Sequence, residues 1–408
     1  MTARVEAKQP ATGDPRGLLR LLASTGISMV GQGAVTAAVP LLAASLTRDP
    51  FLVSLVAAAS YAAWLVVGLP AGALADRWPR RQTMVAADLI RAVLLALVAA
   101  GVVFDWLPIW GLVVVVFLIA SAGCFFDPAA QAAIPVLASR DTTTLAKANG
   151  HLWTLDILGR SLLGPPIGAA LFASAAVLPF ALNGVTFVAS AALLVGLVAL
   201  GRADHPDASL PVHLAVKDGV VYLVRHAGLR LLTIGMGTYN LGYNIAFATL
   251  VLFAQDRLDL GARGFGLLLA MLAVGGIIGG RLGSILHVRF SVAWIYAGAL
   301  AIQGLCWLAA LAIQNVYVVG AALVVIGLAS TVVSVVGGTA RQTLTPDHLI
   351  GRITGGTRVV GIGAAAAGSL VGGALAGLGT LGTPMLVAGC MLLLAALAFV
   401  PVALARRV

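Results

Sequence analysis

The sequence predicts an all-α membrane protein with twelve transmembrane helices, arranged as two pseudo-symmetric bundles of six. Of its 408 residues, 60% are hydrophobic and only 10% are charged, whereas a soluble domain carries about 25% charged residues. Apolar runs of about 20 residues recur along the chain, and a helix of that length crosses the roughly 30 Å hydrocarbon core of a bilayer. These runs lack the alternation of a transmembrane β-strand, so we expect helices.

Glycine, proline and charged residues separate twelve apolar runs. The expected spans are 19–46, 51–74, 83–104, 108–134, 147–173, 176–200, 228–255, 264–286, 292–313, 315–339, 351–376 and 381–404. They divide the chain into an N-terminal tail (1–18), a first bundle (19–200), a connecting segment (201–227), a second bundle (228–404) and a short C-terminus (405–408). An even number of spans places both termini on one side of the membrane.

The distribution of basic residues orients the chain. With the N-terminus in the cytoplasm, nineteen of the 25 lysines and arginines lie in cytoplasmic segments, three in outer loops and three within spans. This asymmetry follows the positive-inside rule, so we expect a multi-pass protein of the bacterial inner membrane with both termini cytoplasmic. The net charge of +10 is spread over short loops rather than gathered in one patch, which argues against a nucleic-acid partner.

Two further patterns organise the chain. Valines and leucines at helical spacing in the connecting segment predict an amphipathic helix on the inner membrane surface. A constant shift of 204 residues relates Gly159, Gly164, Gly168, Gly72 and Arg77 to Gly363, Gly368, Gly372, Gly276 and Arg281, respectively. Matches at one offset indicate a structural repeat, and parallel six-helix repeats are a known plan for transporters.

A charged motif, Gly72-Ala-Leu-Ala-Asp76-Arg77-Trp-Pro-Arg80-Arg81, connects the second and third expected spans. It resembles the loop signature of the major facilitator superfamily, whose fold of two six-helix bundles fits the whole chain, although proline occupies position 79 where that signature usually has glycine. The resemblance implies a conformational latch. Its expected members are Gly72, Asp76, Arg77, Arg80, Arg81 and Asp127, the last near the cytoplasmic end of the fourth span. An ordinary basic loop is the alternative.

A second motif, in the fifth span, contains Gly159, Gly164, Pro165 and Gly168. It resembles the G-x-x-x-G-P-x-x-G-G signature of antiporters in the same superfamily, with Ala169 in place of the final glycine. The resemblance implies export, while close helix packing is the alternative. The run around Asp127, with Pro128 and Pro135, resembles the branch that contains macrolide-efflux and enterobactin-exporter-like proteins.

Charged residues within spans need partners or a wet cavity, because each costs about 2.5–3.5 kcal/mol at a helix centre. Asp88 and Arg91 are three residues apart, and Asp156 and Arg160 are four apart, so each pair shares a helix face. Each could be a permanent ion pair or a switch in which protonation of the carboxylate releases its arginine. Arg358 has no local acid, so we expect it to pair across the bundle or to attract a substrate.

The expected substrate cavity takes residues from the first and seventh spans, which the superfamily resemblance places around a central cavity. Gln32 lies in the middle of the first span. Tyr239, Asn240, Tyr243 and Asn244 form a polar stripe in the seventh, which should face protein or water rather than lipid. Together with Arg358 these are the predicted cavity residues, and interhelical hydrogen bonding is the alternative for the stripe.

Together the patterns predict a secondary active transporter that exports small, amphipathic molecules by alternating access, in antiport with protons. The sequence has no G-x-x-x-x-G-K-[ST] loop and no H-E-x-x-H or G-x-S-x-G motif, so we expect neither direct use of ATP nor an enzyme. No catalytic residue, cofactor or metal site is predicted. The expected partners are a small-molecule substrate, protons and the lipid bilayer, with the protein a monomer. The alternatives are a metabolite importer or facilitator of the same fold and, from another class, a membrane receptor.

Overall fold

The computed structural model describes residues 14–75, 78–138, 142–197, 221–346 and 349–405. Over these ranges the chain forms twelve helical spans. The first bundle contains span 1 (Pro15–Leu46), span 2 (Pro50–Val66 and Gly68–Ala75), span 3 (Arg80–Val103), span 4 (Ile109–Leu137), span 5 (Thr142–Leu155, Asp156–Leu163 and Gly164–Ser174) and span 6 (Leu178–Val195). The second contains span 7 (Ala227–Phe247 and Leu250–Arg257), span 8 (Ala262–Arg289), span 9 (Val292–Ile313), span 10 (Val316–Leu344), span 11 (Ile350–Leu378) and span 12 (Thr383–Ala405).

The predicted all-α membrane fold is confirmed. Ten helices in the described ranges are long and apolar enough to cross a membrane, and spans 2 and 7 are each divided into two shorter helices. The predicted amphipathic helix of the connecting segment lies almost wholly outside the described residues, which resume as a helix at 221–225. We call the side on which residues 14 and 405 lie the termini face, and the opposite side the far face.

Local sequence explains where several spans begin and break. Asp14 accepts a hydrogen bond from the Gly17 N–H at 2.8 Å, and Pro15 occupies the first helical position. Asp49 and Pro50 start span 2 in the same way, because an Asx cap satisfies a free N–H and proline needs none there. Span 2 breaks just before Pro70, whose missing N–H removes one helical hydrogen bond.

The predicted repeat is visible in the packing of small residues. A Cβ atom added to Gly164 or Gly168 would overlap the backbone of span 1, and a Cβ added to Gly368 or Gly372 would overlap the backbone of span 7. Glycine at these four positions lets two helices touch backbone to backbone. Spans 1 and 5 of the first bundle therefore repeat spans 7 and 11 of the second, as the offset predicts.

The two bundles meet through two related helix contacts. Span 5 packs against span 8 where Ala169 faces Gly266, and span 11 packs against span 2 where Gly373 faces Ser54. Ala169 and Gly373 are themselves related by the repeat offset. These contacts lie toward the far face and enclose a space between the bundles.

Candidate functional site

A cavity of about 640 Å³ is lined by both bundles. This volume is typical of sites for small molecules, which are mostly apolar with a few convergent polar groups. The first bundle supplies most of the wall, and spans 7 and 8 supply the rest. The polar residues in the lining are Gln32, Thr36, Ser60, Tyr61, Arg91, Asp127, Arg160, Asn183 and Asn244.

One arginine bridges the bundles at the far face. Arg48, in the loop between spans 1 and 2, donates from Nη1 to the Gln255 Oε1 at 2.6 Å. Its Nη2 lies 3.3 Å from the Asp256 Oδ1 at the end of span 7. The Arg48 and Asp256 side chains are 60% and 44% exposed, so water screens the ion pair and we expect it to contribute at most about 1 kcal/mol.

The Asp88–Arg91 pair is buried in the first bundle. The Arg91 Nη1 lies 3.5 Å from the Asp88 Oδ1, and Ser190 of span 6 donates to the Asp88 Oδ2 at 2.6 Å. Asp88 is fully buried, and the Arg91 guanidinium lies 5.1 Å and 5.2 Å from the ring centres of Phe126 and Phe187. Protein surrounds Asp88, whereas Arg91 also lines the cavity. The fixed contacts of Asp88 with Arg91 and Ser190 are the geometry of a permanent ion pair.

The Asp156–Arg160 pair lies in a wetter place. Its closest N–O distance is 3.4 Å, and the two side chains are 37% and 39% exposed. Arg160 also donates from Nη2 to the Gln32 Oε1 of span 1 at 2.7 Å. Arg160 and Gln32 both line the cavity, so a change in the charge of Asp156 would affect the contacts of side chains in the cavity wall.

This pair sits on a π-helical segment, Asp156–Leu163, that sequence reasoning missed. The Gly164 N–H bonds to the carbonyl of Gly159, five residues back rather than four. Pro165 and Pro166 follow and have no N–H to offer the preceding turn, which favours a change of register here. Short π-helical segments within α-helices occur frequently at functional sites.

Asp127 lies deeper in its span than the sequence predicted, whereas Arg358 pairs across the bundles, one of its two expected roles, and is not part of the cavity lining. Span 4 continues to Leu137, so Asp127 lies ten residues from its end, about 15 Å deep, rather than near the end of the helix. There it lines the cavity and interacts electrostatically with Arg91. Arg358 does pair across the bundles, with an aromatic ring instead of an acid: its guanidinium lies 4.3 Å from the ring centre of Trp64.

The predicted polar stripe of span 7 divides between packing and cavity. Asn244 lines the cavity, whereas Tyr239, Asn240 and Tyr243 are not part of its lining. The Tyr239 hydroxyl donates to the Ile326 carbonyl of span 10 at 3.2 Å, Asn240 donates to the Met236 carbonyl, and Tyr243 stacks on Phe247. Only Tyr239 makes the interhelical hydrogen bond that was the alternative from the sequence, whereas Asn240 bonds within its own helix and Tyr243 packs against an aromatic ring.

The latch loop is only partly described. Asp76 and Arg77 lie outside the described residues, and Gly72 belongs to the second helix of span 2. Arg80 begins span 3, and Arg81 donates from Nη1 to the Leu197 carbonyl at 2.9 Å. Within the described ranges Arg80 and Asp127 form no ion pair. The latch stays a prediction.

The glycine-proline motif packs span 5 between the two bundles. Gly159 approaches Val30 of span 1, and Gly164 and Gly168 approach the same span further along. On the other side, the Pro165 carbonyl would lie 2.9 Å from a Cβ placed on Gly266 of span 8. The motif thus shapes a helix that contacts both halves.

Span 2 supplies cavity residues that the sequence analysis missed. Ser60, Tyr61 and Trp64 all line the cavity, and Tyr61 interacts with Asn244 of span 7. Their spacing at i, i+1 and i+4 places them together on a helix. A polar and aromatic cluster in an otherwise apolar run was the sequence signal that could have identified these cavity residues.

The described residues form twelve helical spans in two repeated halves around a shared cavity, which define a membrane transporter of the major facilitator fold. The solved structure of the nucleoside transporter NupG has this fold: it matches with a TM-score of 0.76 at 12% sequence identity, covering 94% of this chain and 98% of that one. The profile of the family described as transmembrane secretion effector matches residues 18–407. The chain belongs to that family, within the major facilitator superfamily, which confirms the resemblance read from its motifs.

Relatives of known sequence agree with this assignment. The chain is 26% identical over 403 residues to the uncharacterized MFS-type transporter YfiS of Bacillus subtilis, covering 95% of this chain and 93% of that protein. It is 26% identical over 379 residues to the multidrug efflux pump Tap of Mycolicibacterium fortuitum, covering 88% of each. Macrolide efflux protein A of Streptococcus pyogenes is 22% identical over 236 residues, covering 57% of this chain and 58% of that protein. The family and fold are those of transporters rather than enzymes.

Proposed function

We propose that this protein exports small, amphipathic molecules by alternating access, in antiport with protons. The observation that carries the proposal is the cavity of about 640 Å³, to which both bundles contribute. A site shared by two rigid halves can change the face to which it opens when the halves rock about it. Two relatives with efflux in their names favour export over import.

The chemistry of the wall suits an amphipathic substrate. Aliphatic and aromatic residues supply most of it, so an apolar body would be desolvated favourably. Gln32, Asn244 and Tyr61 offer hydrogen bonds from both halves, and Asp127 and Arg160 add one charge of each sign. Such a wall can orient a polar substituent without demanding one particular skeleton.

The bridge at the far face suits a carrier that must open there. A contribution of at most about 1 kcal/mol from Arg48 and Asp256 shifts a two-state equilibrium about fivefold, so small changes in the cavity can overcome it. We infer that the latch of Asp76, Arg77, Arg80 and Arg81 balances it at the termini face. In this proposal the termini face is cytoplasmic, and a monomer in the inner membrane suffices.

Asp156 is the residue we assign to proton coupling. It is reachable by water, and its partner Arg160 also holds Gln32 in the cavity wall. Protonation of Asp156 would weaken its hold on Arg160 and so rearrange the wall. Asp88 is enclosed and doubly partnered, which suits a structural role.

Accumulation of a macrolide probe in an efflux-deficient bacterial host tests the function. Expression should lower the amount of probe in the cells, and a protonophore should restore it. Replacing Thr36 of the cavity wall by tryptophan should abolish the effect, while tryptophan at the lipid-exposed Val93 should not. Higher accumulation would indicate an importer, and export that ignores the protonophore would refute proton coupling.

A further inference from the structure

A second cavity, of about 180 Å³, lies inside the second bundle near the termini face. It is enclosed by the first turns of spans 7, 9 and 11 and the last turns of span 10. Its polar residues are Thr233, Tyr296, Ser334, Arg341 and Thr357. We propose that this cavity binds a phosphate group, carried either by an anionic lipid or by a free anion.

Hydrogen-bond donors converge on the cavity without matching acceptors. Arg341 donates from Nη1 to the Thr357 Oγ1 at 3.2 Å, but its buried Nε has no hydrogen-bond partner among the described residues. A guanidinium has five N–H donors and no acceptor. Within the described part of the chain, the Tyr296 and Ser334 hydroxyls also have no hydrogen-bond partner, although Tyr296 is only 2% exposed. Spans 9 and 10 thus present three side chains with donors, an arrangement that suits the oxygens of a tetrahedral anion.

Within the part of the chain that the structure describes, the charge of Arg341 has no acid nearby. The acids in the described ranges 221–346 and 349–405 are Asp256 and Asp259, and both lie at the far face. An arginine partly removed from water needs a counter-charge or hydration. The described residues at the termini end of this bundle contain no carboxylate. A bound anion would therefore supply the counter-charge of Arg341.

The depth of the cavity fits a lipid headgroup. Span 10 has 29 residues and so is about 43 Å long, longer than the roughly 30 Å hydrocarbon core. Arg341 lies three residues before its end, at the level where phosphates of the bilayer lie. Arg225, just before span 7, and Arg230, in its first turn, are both exposed and add positive potential at this face.

Two adjacent glycines make the space. A Cβ on Gly337 would overlap the Tyr296 hydroxyl, so glycine lets that hydroxyl reach the backbone of span 10. A Cβ on Gly338 would meet nothing within 4 Å, so the cavity extends over it. The volume equals that of roughly six water molecules, enough for a phosphate with some water.

Thermal unfolding of the purified full-length protein tests the proposal. The protein is placed in phosphatidylcholine nanodiscs, with phosphate or chloride at equal ionic strength, and in nanodiscs that contain phosphatidylglycerol. A ligand at a hundredfold excess over its Kd should raise the Tm by several degrees. A rise with phosphatidylglycerol alone identifies the lipid as the source, and a rise with inorganic phosphate identifies a free anion.

Variants assign the effect to this cavity. Arg341→Gln should abolish the rise in Tm, and Arg341→Lys should reduce it because lysine lacks the planar fork. Gly338→Val should abolish it by filling the cavity while leaving Arg341 in place. Gly298→Val is the matched control, since a Cβ there also meets nothing within 4 Å and Gly298 does not line the cavity.

Three results would overturn the proposal. One is a wild-type Tm that responds to neither probe, which would indicate a cavity filled by water. Another is an equal rise in the Arg341→Gln and wild-type proteins. The third concerns Asp347, which follows Arg341 in the chain and lies outside the described residues: a response seen only in Asp347→Asn would mean that the chain supplies its own counter-charge.

Discussion

Replacing Asp88 and Asp156 in turn by asparagine should separate folding from coupling. Asp88→Asn removes the ion-pair partner of Arg91, whose side chain is only 5% exposed, and leaves it Asp127, which is not in ion-pair contact. Breaking a buried pair from one side costs about 3–5 kcal/mol. Asp156→Asn breaks a pair whose side chains are 37% and 39% exposed, for which the expected loss of stability is at most about 1 kcal/mol. We therefore expect a large fall in Tm for the first variant and a small one for the second.

For proton-coupled transport, Asp156→Asn is the variant with the informative effect. One proton moving across about 100 mV supplies about 2.3 kcal/mol, enough for a substrate gradient of roughly fortyfold at about 1.4 kcal/mol per tenfold. In Asp156→Asn the ratio of substrate concentrations across the membrane should fall to about one, while exchange of substrate down its own gradient should stay intact. Both quantities can be measured on one preparation, by thermal unfolding in detergent and by uptake into proteoliposomes with an imposed proton gradient.

A third variant serves as the control. Asp49→Asn changes an exposed acid that caps span 2. The expected loss of stability is again about 1 kcal/mol or less, and we expect no role for Asp49 in coupling. It should transport like the wild type at a stability similar to that of Asp156→Asn. Uphill transport retained by Asp156→Asn, or a loss of stability as large as that of Asp88→Asn, would refute our assignment of the two acids.

Three further predictions concern the conformational cycle, the packing and the orientation. Arg48→Ala should raise the far-face labelling rate of a cavity cysteine by up to about fivefold; an unchanged rate would contradict the bridge. Gly168→Val should lower stability by about 1–3 kcal/mol and block transport, whereas Gly150→Val, where a Cβ meets nothing within 4 Å, should do neither. In a cysteine-free background, a cysteine at Tyr317 should react with an impermeant maleimide in intact cells and one at Pro346 only after permeabilisation; the reverse result would invert the proposed orientation.

The sequence predicted the spans and the local charge pairs well because both depend on short-range physics. Hydropathy and helix length fix where an apolar segment can cross a bilayer, and helix bounds agree within five residues. Spacing of three and four residues brought Asp88 to Arg91 and Asp156 to Arg160, as their distances confirm. The two pairs differ in burial, and the burial of Asp88 and Arg91 depends on Ser190 and Phe187 in another span.

Other features depended on neighbours that the sequence does not reveal. The i, i+4 spacing placed Tyr239 and Tyr243 on one face, but only the packing of spans 9 and 10 shows that this face meets Ile326 and Trp307 rather than the cavity. Arg358 found Trp64 across the bundles, although no local acid was available. A pattern along one helix defines a face, and the partner of that face is a property of the whole fold.

The arrangement of charge at the site depends on the number of residues in the π-helical segment of span 5. Removing one residue between Asp156 and Leu163 would let an α-helix form, turning the stretch Thr142–Leu155 by about 100° and drawing it in by about 1.5 Å. Asp156 would then leave the side on which Arg160 and Gln32 meet. When relatives are aligned, a single-position gap in this region therefore signals a different arrangement of charge, even where every letter around it is the same.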